Sequence, residues 1–470
     1  MMTTNDHVDV LVIGGGPGGT PAAMALGRAG KHVMLVEAGR GLGGTCLFEG
    51  CIPSKIFRET AARRHEIVRA GEFGLRLGSS DLPGIDWAAV QSRRDRILSG
   101  RAQGALAHTE AMPSLDVVFG RARLTGARTA LVETPDMQRT VTFDRAILAT
   151  GSVPASLPIP GAELPGVIDS TQLIEIDAIP RSMVLIGAGP IGVEMAQIFA
   201  MLGTRVTILE VADRILGPVD AVLAGRLEKR LVQDGIEVHT KATVASITGD
   251  RGSHVTTFSV GGKEMTAETE VVAIVAGRRP NVAGLGLENT QVLSDKNGVI
   301  VDDTLQTGEP GIYATGDLLG NPMFAHWATA QALAVARHLL GAPVEFPRPE
   351  HNSAVIFSYP EIGMVGLTEE AARAGGLDVG VSEYDYKGDA RAQISGDADG
   401  LLRIVYAPDS RRVLGVHVLV EGAADLMGEA ALAVRVGSTV EDLASTIHPH
   451  PTLTEAFGLA ALAVGGRRRE

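Results

Sequence analysis

The chain has very little cysteine, few aromatic side chains and no long apolar run. Only two of its 470 residues are cysteine, Cys46 and Cys51, and aromatic residues make up 4%. Two cysteines exclude a scaffold built on several disulfides and favour a reducing compartment, in which a disulfide is usually catalytic. No apolar run approaches the roughly 18 residues that a membrane span needs, and the first residues lack the basic region of a signal peptide. We therefore expect a cytoplasmic protein without a membrane partner.

Basic residues are also in deficit. There are 42 Lys and Arg residues against 55 Asp and Glu residues, which gives a net charge of −13, and the basic residues form no long stripe. Because phosphate backbones are bound by clustered positive charge, a nucleic-acid partner is disfavoured. The length is sufficient for several domains.

Both cysteines lie in one short stretch, GGTCLFEGCIPSK, at residues 43–55. In a regular helix, residues five apart have Cα atoms roughly 8 to 9 Å apart on faces rotated by about 140°. A disulfide needs less than roughly 7 Å. A bond between Cys46 and Cys51 therefore requires a distorted turn, which Gly44 and Gly50 permit. A strained, partly exposed disulfide is redox-labile, so the stretch predicts a redox centre. The alternative is a pair of ordinary buried thiols.

A strand, a glycine-rich turn, a helix and an acid at the end of a second strand occur twice in the chain. The GxGxxG glycines and the acid are Gly14, Gly16, Gly19 and Glu37 in the first copy, and Gly187, Gly189, Gly192 and Glu210 in the second. In each copy the acid follows the first glycine by 23 residues. Such glycines let a pyrophosphate approach a helix N-terminus, and the acid accepts hydrogen bonds from a ribose.

Two copies predict two dinucleotides, most simply a tightly held flavin and an exchanging nicotinamide nucleotide. The alternative is a second copy that binds nothing. Glu210 would repel a 2′-phosphate, and neither Val211 nor Gly217 offers a guanidinium to receive one, so NAD is favoured over NADP.

Titratable side chains cluster near the chain end, in the stretch HPHPTLTE, which holds His448, His450 and Glu455. A histidine with a carboxylate partner can act as general base for a thiol. A capping or core histidine is the usual alternative. A two-cysteine redox centre needs an acid/base group, however, and this cluster is the best candidate.

Several motifs resemble those of the class I flavoprotein disulfide reductases, or pyridine nucleotide-disulfide oxidoreductases, and most closely those of dihydrolipoamide dehydrogenases. The motifs are GGGPGG, GGTCLFEGCIPSK, ATGS, GAGPIGVE, AGRRPN, ATGD, MFAH, YPEIGMVGLTEE, GVHVLVEGA and HPHPTLTEAF. The resemblance runs from residue 8 to residue 460. It implies an α/β fold with two Rossmann-like dinucleotide-binding domains, three-layered as in glutathione reductase, and a C-terminal α+β dimerisation domain.

The chain then divides into four parts. We expect an FAD-binding domain with the redox disulfide at 1–151, an NAD-binding domain at 152–279, a central segment that completes the FAD site at 280–347, and a C-terminal dimerisation domain at 348–470. One strand is predicted to end at Thr150 and Gly151. Another is predicted to end at Gly316 and Asp317, with the Asp317 carboxylate beside the flavin.

The resemblance also implies roles for individual side chains. Cys46 would be the interchange thiol that meets the substrate, and Cys51 the thiol that faces the flavin. Lys55 would pair with Glu194 beside the flavin ring. The implied catalytic residues are Cys46, Cys51, Lys55, Glu194, His448, His450 and Glu455.

By the same resemblance, His450, held by Glu455, would deprotonate a substrate thiol at the cysteines of a partner subunit, so the active site requires a homodimer. Residues implied to contact FAD are Gly14, Gly16, Gly18, Gly19, Glu37, Gly44, Thr45, Lys55, Gly120, Thr150, Gly151, Ser152, Asp317, Met323, Ala325 and His326. Residues implied to contact NAD are Gly187, Gly189, Gly192, Glu194, Glu210, Val244 and Gly277. No metal site is predicted.

The implied reaction moves two electrons from a protein-bound dihydrolipoyl group through the Cys46 and Cys51 disulfide and FAD to NAD. The expected partner is a lipoyl-carrying protein or a 2-oxoacid dehydrogenase complex. A related NAD(P)H-dependent reductase of another disulfide and a non-catalytic, complex-anchoring subunit are the alternatives. Phe48, Glu49 and Arg58 depart from the usual family residues. Glu49 is expected to raise thiol pKa values or to repel acidic substrates.

Overall fold

The computed structural model describes residues 5–76, 78, 84–320 and 322–465. Its elements form two units built on parallel sheets, a short central segment, and a C-terminal unit built on an antiparallel sheet. This is the α/β architecture predicted from the sequence. Short 3-10 helices occur at Ala70–Phe73, Leu287–Asn289, Gly316–Leu319, Pro349–His351 and Tyr386–Gly388.

The first unit contains the first glycine-rich turn and both cysteines. Its strands are β1 (Asn5–Ile13), β2 (Val33–Glu37), β3 (Leu115–Phe119), β4 (Arg121–Gly126), β5 (Thr129–Glu133) and β6 (Gln138–Leu148). Its helices are α1 (Thr20–Arg28), α2 (Gly44–Phe48), α3 (Cys51–Arg69) and α4 (Trp87–Glu110). The sheet order is β3-β2-β1-β6-β5-β4, with β3, β2, β1 and β6 parallel. The apolar residues of β1 and β2 are buried, as central parallel strands require.

The second unit repeats the parallel arrangement. Its strands are β7 (Ser152–Pro154), β8 (Val167–Asp169), β9 (Ser182–Ile186), β10 (Arg205–Leu209), β11 (Glu237–His239), β12 (Ala242–Asp250), β13 (Ser253–Val260), β14 (Lys263–Thr269), β15 (Val271–Ile274) and β16 (Arg278–Pro280). Its helices are α5 (Ser170–Ile174), α6 (Pro190–Leu202) and α7 (Ala221–Gln233). The parallel sheet has the order β11-β10-β9-β15-β8, and β12-β13-β14 form a separate antiparallel sheet.

The chain passes between these units through β7 and β16, which pair antiparallel. The predicted boundary after residue 151 falls directly before β7, and the one after residue 279 falls within β16. Both boundaries remain predictions.

The central segment returns the chain to the first unit. It contains β17 (Ser294–Asp295), β18 (Gly298–Val299), β19 (Ile312–Ala314) and α8 (Ala325–Leu339). Strand β19 pairs parallel with β6. Two predicted strand ends differ from the structure: β6 ends at Leu148 and β19 at Ala314. Gly316 takes a positive φ of 73°, which turns the chain out of the sheet and places Asp317 in a 3-10 helix.

The C-terminal unit has strands β20 (Ser353–Ile356), β21 (Ile362–Gly366), β22 (Gly380–Asp385), β23 (Leu401–Tyr406) and β24 (Val413–Leu419). Its helices are α9 (Glu369–Ala374), α10 (Ala390–Ser395), α11 (Ala423–Val436), α12 (Val440–Ser445) and α13 (Glu455–Gly465). The sheet order is β20-β21-β24-β23-β22, and all its pairs are antiparallel. Helices α11 and α13 pack their apolar residues against one face.

The units are joined by both apolar and charged contacts. One apolar cluster includes Phe57 of α3, Trp87 of α4 and Phe199 of α6, so it spans the first two units. On the C-terminal side, the buried Arg403 guanidinium pairs with the buried Asp220 carboxylate at the start of α7. These contacts hold the three units around a shared cavity.

Candidate active site

A cavity of about 2090 Å³ lies where the units meet. Most of the predicted site residues of the first unit and the central segment line it. They are Gly14, Gly16, Gly18, Glu37, Gly44, Thr45, Cys46, Cys51, Lys55, Gly120, Thr150, Gly151, Ser152, Asp317, Met323, Ala325 and His326. Glu194 and Gly277 line it from the second unit. The predicted residues outside its lining are Gly19, Gly187, Gly189, Gly192, Glu210, Val244, His448, His450 and Glu455.

The first glycine turn is shaped for close approach of a ligand. Gly14 takes a φ of 109°, and a Cβ there would collide with the Ala149 carbonyl oxygen. A Cβ at Gly19, directly before α1, would collide with the Gly14 carbonyl oxygen. The Glu37 carboxylate at the end of β2 accepts hydrogen bonds from the backbone N–H groups of Gly15, at 2.6 Å, and Gly39. This cradle fits the pyrophosphate and ribose of a dinucleotide.

The second turn has the same construction. Gly187 takes a φ of 117°, and a Cβ at Gly192 would collide with the Gly187 carbonyl oxygen. The Glu210 carboxylate accepts hydrogen bonds from the N–H groups of Ala188 at 2.6 Å and Ala212 at 2.8 Å. The fit to a second dinucleotide is therefore equally good. The predicted contact Val244 lies on β12 and packs beside the apolar cluster that contains Leu209.

The helical path is interrupted between the two cysteines. Helix α2 ends at Phe48 and α3 begins at Cys51, while Gly50 adopts φ −142° and ψ −103°. This is the distortion that the spacing of the cysteines required. Both thiols are free and hydrogen-bond to each other.

The two thiols differ in their electrostatics. Donation of a hydrogen bond to Cys51, together with burial, raises the pKa of Cys46 above its ordinary value. Acceptance of that bond lowers the pKa of Cys51 to about 7, against the opposing effect of burial, and the Lys55 charge lowers it further. Cys51 is therefore the thiolate of the pair near neutral pH.

Lys55 joins the first unit to the second beside these thiols. Its Nζ lies 2.7 Å from Glu194 Oε2 on α6 and 4.4 Å from the centre of the Phe357 ring. The Glu194 Oε1 atom accepts a hydrogen bond from the Phe357 N–H at 2.9 Å. Because Glu194 is buried, its charge needs both partners.

Asp317 is anchored by a second polar network. Ser152 Oγ donates to Asp317 Oδ2 at 2.7 Å, and the Arg278 guanidinium donates to Ser152 Oγ and to the Ser152 carbonyl, both at 2.8 Å. Burial lowers the pKa of Arg278. This network fixes the link between β15 and β16 against the predicted flavin side of the cavity.

Glu49 faces this network. Thr171 Oγ1 donates to Glu49 Oε2 at 3.2 Å, and Arg278 Nη2 lies 3.8 Å from the same oxygen. The main causes of the two thiol pKa shifts are the hydrogen bond between the thiols and their burial. The structure therefore gives no support to the expectation that Glu49 raises thiol pKa values.

The stretch 323–326 enters helix α8 at the cavity wall. His326 Nε2 lies 2.6 Å from the Ser353 carbonyl oxygen and 3.0 Å from Asn352 Oδ1. Its ring stacks on Phe324 with centroids 5.4 Å apart. These contacts connect the central segment to the C-terminal sheet.

The structure separates the two predicted histidines. His450 Nδ1 lies 3.0 Å from Glu455 Oε1, and its side chain is 71% exposed. A backbone hydrogen bond from Thr452, and then His450 itself, lower the pKa of Glu455. His448, by contrast, has an 8% exposed side chain and pairs with Glu429 of α11 at 2.8 Å. Only His450 is available to a reactant, and it lies outside the cavity of its own chain.

Family comparisons agree with this geometry. Residues 8–332 match the model of the pyridine nucleotide-disulphide oxidoreductases, and residues 352–461 match the model of that family's dimerisation domain. The chain belongs to the pyridine nucleotide-disulphide oxidoreductases. As a member of the family it is an oxidoreductase that uses FAD and NAD(H), and the dimerisation domain supports a homodimer. The predictions of fold class, enzyme class and cofactors are confirmed.

Curated relatives within the family include dihydrolipoyl dehydrogenases. One from Bacillus subtilis (strain 168) is 34% identical over 458 residues, which cover 97% of this chain and 98% of that protein. One from Geobacillus stearothermophilus is 35% identical over 470 residues, with coverage of 98% and 97%.

Solved structures extend the comparison. LpdA from Mycobacterium tuberculosis superimposes with a TM-score of 0.88 at 28% identity, over 97% of this chain and all of that one. The Cu(II) complex of the HOCl-induced flavoprotein disulfide reductase RclA from Escherichia coli gives 0.86 at 26% identity, over 98% of this chain and all of that one. Within the described residues, no helix combines the length and apolar character needed to cross a bilayer.

Several site residues were not predicted from the sequence. Arg278 belongs to the AGRRPN motif, from which only Gly277 was assigned. Phe357 precedes YPEIG and carried no signal of its own. Arg101 of α4, whose charge lowers the pKa of Cys46, was also missed. These residues are far from the cysteine stretch in sequence, so only the fold reveals their proximity.

Proposed function

We propose that the chain is a dihydrolipoamide dehydrogenase, which oxidises a protein-bound dihydrolipoyl group and reduces NAD. The observation that carries this proposal is the asymmetric thiol pair beside the Lys55 and Glu194 ion pair, in a cavity bordered by the first glycine turn. One thiol must exchange with a substrate while the other remains a thiolate, and the opposite pKa shifts of Cys46 and Cys51 support this division of roles.

In the proposed oxidation, a substrate thiolate attacks Cys46 Sγ in the disulfide form, and Cys51 leaves as thiolate. The second substrate thiol then attacks the mixed disulfide at the substrate sulfur. This step releases the cyclic substrate disulfide and leaves Cys46 reduced. Two electrons and two protons have left the substrate.

Side chains of the protein stabilise the thiolate and accept the proton in these reaction steps. The Lys55 ammonium favours the Cys51 thiolate, and His450, oriented by Glu455, takes the substrate proton. Because His450 lies outside its own chain's cavity and the family forms homodimers, we assign this role to the histidine of the opposite subunit. FAD, when bound, supplies the chemistry that passes the electron pair on to NAD as hydride.

We further propose a lipoyl-carrying protein or a 2-oxoacid dehydrogenase complex as the partner, and the cytoplasm as the compartment. A dedicated lipoyl carrier would explain the unusual residues Phe48 and Glu49, which line the cavity. Equal turnover of free dihydrolipoamide and of every lipoyl domain tested would contradict a dedicated carrier.

The deciding experiment is an anaerobic titration of the yellow protein with dihydrolipoamide and, separately, with NADH. With either reductant, the first electron pair should open the disulfide and produce a long-wavelength band from the Cys51 thiolate against flavin that is still oxidised. The Cys51→Ser variant should bind flavin but give no such band. If NADH reduced the parent protein and dihydrolipoamide did not, dihydrolipoamide would be excluded as the substrate.

A reductase of a different disulfide is the second candidate, because RclA has a similar structure and is named a flavoprotein disulfide reductase. Steady-state turnover of NADH with a panel of small disulfides separates the two. Rates with any of them above the rate with lipoamide would favour this second function.

A further inference from the structure

Helix α3 carries an arginine that the proposed chemistry does not use. Arg58 follows Lys55 by one helical turn, and its side chain is only 17% exposed. Its Nε donates to the Phe357 carbonyl at 3.0 Å, and its Nη2 donates to the Ser358 carbonyl at 3.1 Å. A buried guanidinium on two backbone carbonyls fixes the position of the segment that contains them.

Two carboxyl groups contact this guanidinium, that of Glu361 buried and that of Glu421 partly buried, and burial raises the pKa of both, that of Glu421 to about 7. Glu361 Oε1 lies 3.1 Å from Arg58 Nη2, and Glu421 Oε1 lies 2.9 Å from it. Glu361 and Glu421 belong to the C-terminal unit, whereas Arg58 belongs to the first. The Arg58 guanidinium thus joins helix α3 to the loop between β20 and β21.

Phe357 is held on three sides by groups of this region. Its ring lies under Lys55 Nζ, its N–H binds Glu194, and its carbonyl binds Arg58. Lys55 and Arg58 therefore both contact Phe357 from one face of α3. The ring and the Glu194 carboxylate both stabilise the Lys55 ammonium, and that charge acts on Cys51.

We propose that Arg58 is a positioning residue: by holding Phe357 in place, it fixes the Lys55 ammonium beside Cys51. The inference rests on the proposed function only in taking Cys51 as the thiolate of the pair. It concerns the geometry of the reduced protein and requires neither a particular substrate nor NAD.

Alkylation of the reduced, flavin-free protein with iodoacetamide tests the proposal, because only the thiolate reacts and Cys51 is exposed in the chain without flavin. Arg58→Met removes the donors while keeping a side chain of similar length. At pH 6, below the Cys51 pKa of about 7, we expect the Cys51 labelling rate to fall about threefold, equivalent to a pKa rise of about half a unit. Peptide mass mapping distinguishes Cys51 from Cys46, and the chain has no other cysteine.

Two further variants complete the test. Arg63 lies on the same helix, but its side chain is 71% exposed and pairs with Glu59. Cys51 in the Arg63→Met variant should therefore be alkylated at the parental rate. Arg58→Lys, which retains a charged donor, should recover part of the lost rate.

A folded Arg58→Met protein with an unchanged labelling profile would overturn the proposal. If that variant does not fold, Phe357→Leu decides, since it keeps the backbone bonds and removes only the ring. A slower Cys51 rate then supports the proposal and a parental rate overturns it. A parent whose Cys51 does not react at all would count instead against the proposed function, so the two failures are distinguishable.

Discussion

The two glycine turns have the same framework but different surroundings. In both, a glutamate at the end of the second strand binds two backbone N–H groups, and a Cβ on the third glycine of the motif would collide with the carbonyl of the first. The first turn is covered by other parts of the chain: Gly44 of the redox stretch approaches Gly16, and Thr315 Oγ1 donates to the Gly18 carbonyl at 2.8 Å. Around Gly189 of the second turn, a Cβ would meet no atom within 4 Å.

We propose that this difference separates a retained cofactor at the first turn from an exchanging one at the second. A dinucleotide enclosed by the redox stretch and the central segment must disrupt tertiary contacts to leave. One bound at an open turn leaves without such a cost. The local motif thus determines what class of ligand binds, and the surrounding chain determines how long it stays.

Gly19→Ala should have the largest effect. The new Cβ would collide with the Gly14 carbonyl, so the purified protein should be colourless, with a lower melting temperature and a loss of about 1 to 3 kcal/mol in the free energy of unfolding. Absorbance of bound flavin and thermal unfolding measure this. Gly104→Ala, in open space on α4, is the matched control and should remain yellow. Flavin retained at parental occupancy in Gly19→Ala would contradict the enclosed first site.

Gly192→Ala places the same collision in the second turn. We expect a yellow protein that dihydrolipoamide still reduces but NADH no longer does, because only the open site is distorted. Stopped-flow absorbance with each reductant provides the measurement. If this variant instead lost its flavin, the two turns would not be independent sites.

Lys55→Met tests the ion pair that joins the units of the two turns. Removal of a charge that lowers the Cys51 pKa should raise that pKa from about 7, so the thiolate fraction decreases on the acidic side. A rise of about one unit corresponds to roughly tenfold slower alkylation at pH 6. Lys229→Met, at an exposed position on α7, should have the parental profile. An unshifted profile in Lys55→Met would show that the hydrogen bond from Cys46 alone sets the Cys51 pKa.

Glu49→Gln should have the smallest effect. Glu49 is 3.8 Å from Arg278 with a 40% exposed side chain, and such pairs contribute at most about 1 kcal/mol. We expect a melting temperature within about 2 °C of the parent and unchanged thiol alkylation. A labelling rate more than about twofold above the parent at pH 6 would restore the sequence-based hypothesis that Glu49 raises thiol pKa values.

The sequence predicted those features that depend on nearby residues. The strands predicted on either side of the first glycine turn are β1 and β2, whose apolar runs VDVLVI and HVMLVE suit buried parallel strands. The cysteine spacing predicted the interruption between α2 and α3. The recurrence of the glycine pattern predicted two dinucleotide turns.

Features that depend on distant residues were not predicted from spacing. His448 and His450 look equivalent in sequence, and only the position of Glu429 on α11 distinguishes the buried one from the exposed one. Likewise, the charge of Glu49 suggested an effect on the thiols until Thr171 and Arg278 were located. Such roles are decided by partners that the fold brings close, 19 residues away for His448 and 122 for the Glu49 contact with Thr171, and a single sequence does not identify them.

The interruption at Glu49 and Gly50 brings the two thiols into hydrogen-bonding contact while the rest of α3 remains regular. Closing or opening a bond between them therefore requires adjustment only near the first turn of that helix. The oxidised and reduced proteins should have the same outer contour. A docked carrier would then bind both forms equally well, and the fraction of enzyme it occupies would depend on its concentration and not on the redox state of the enzyme.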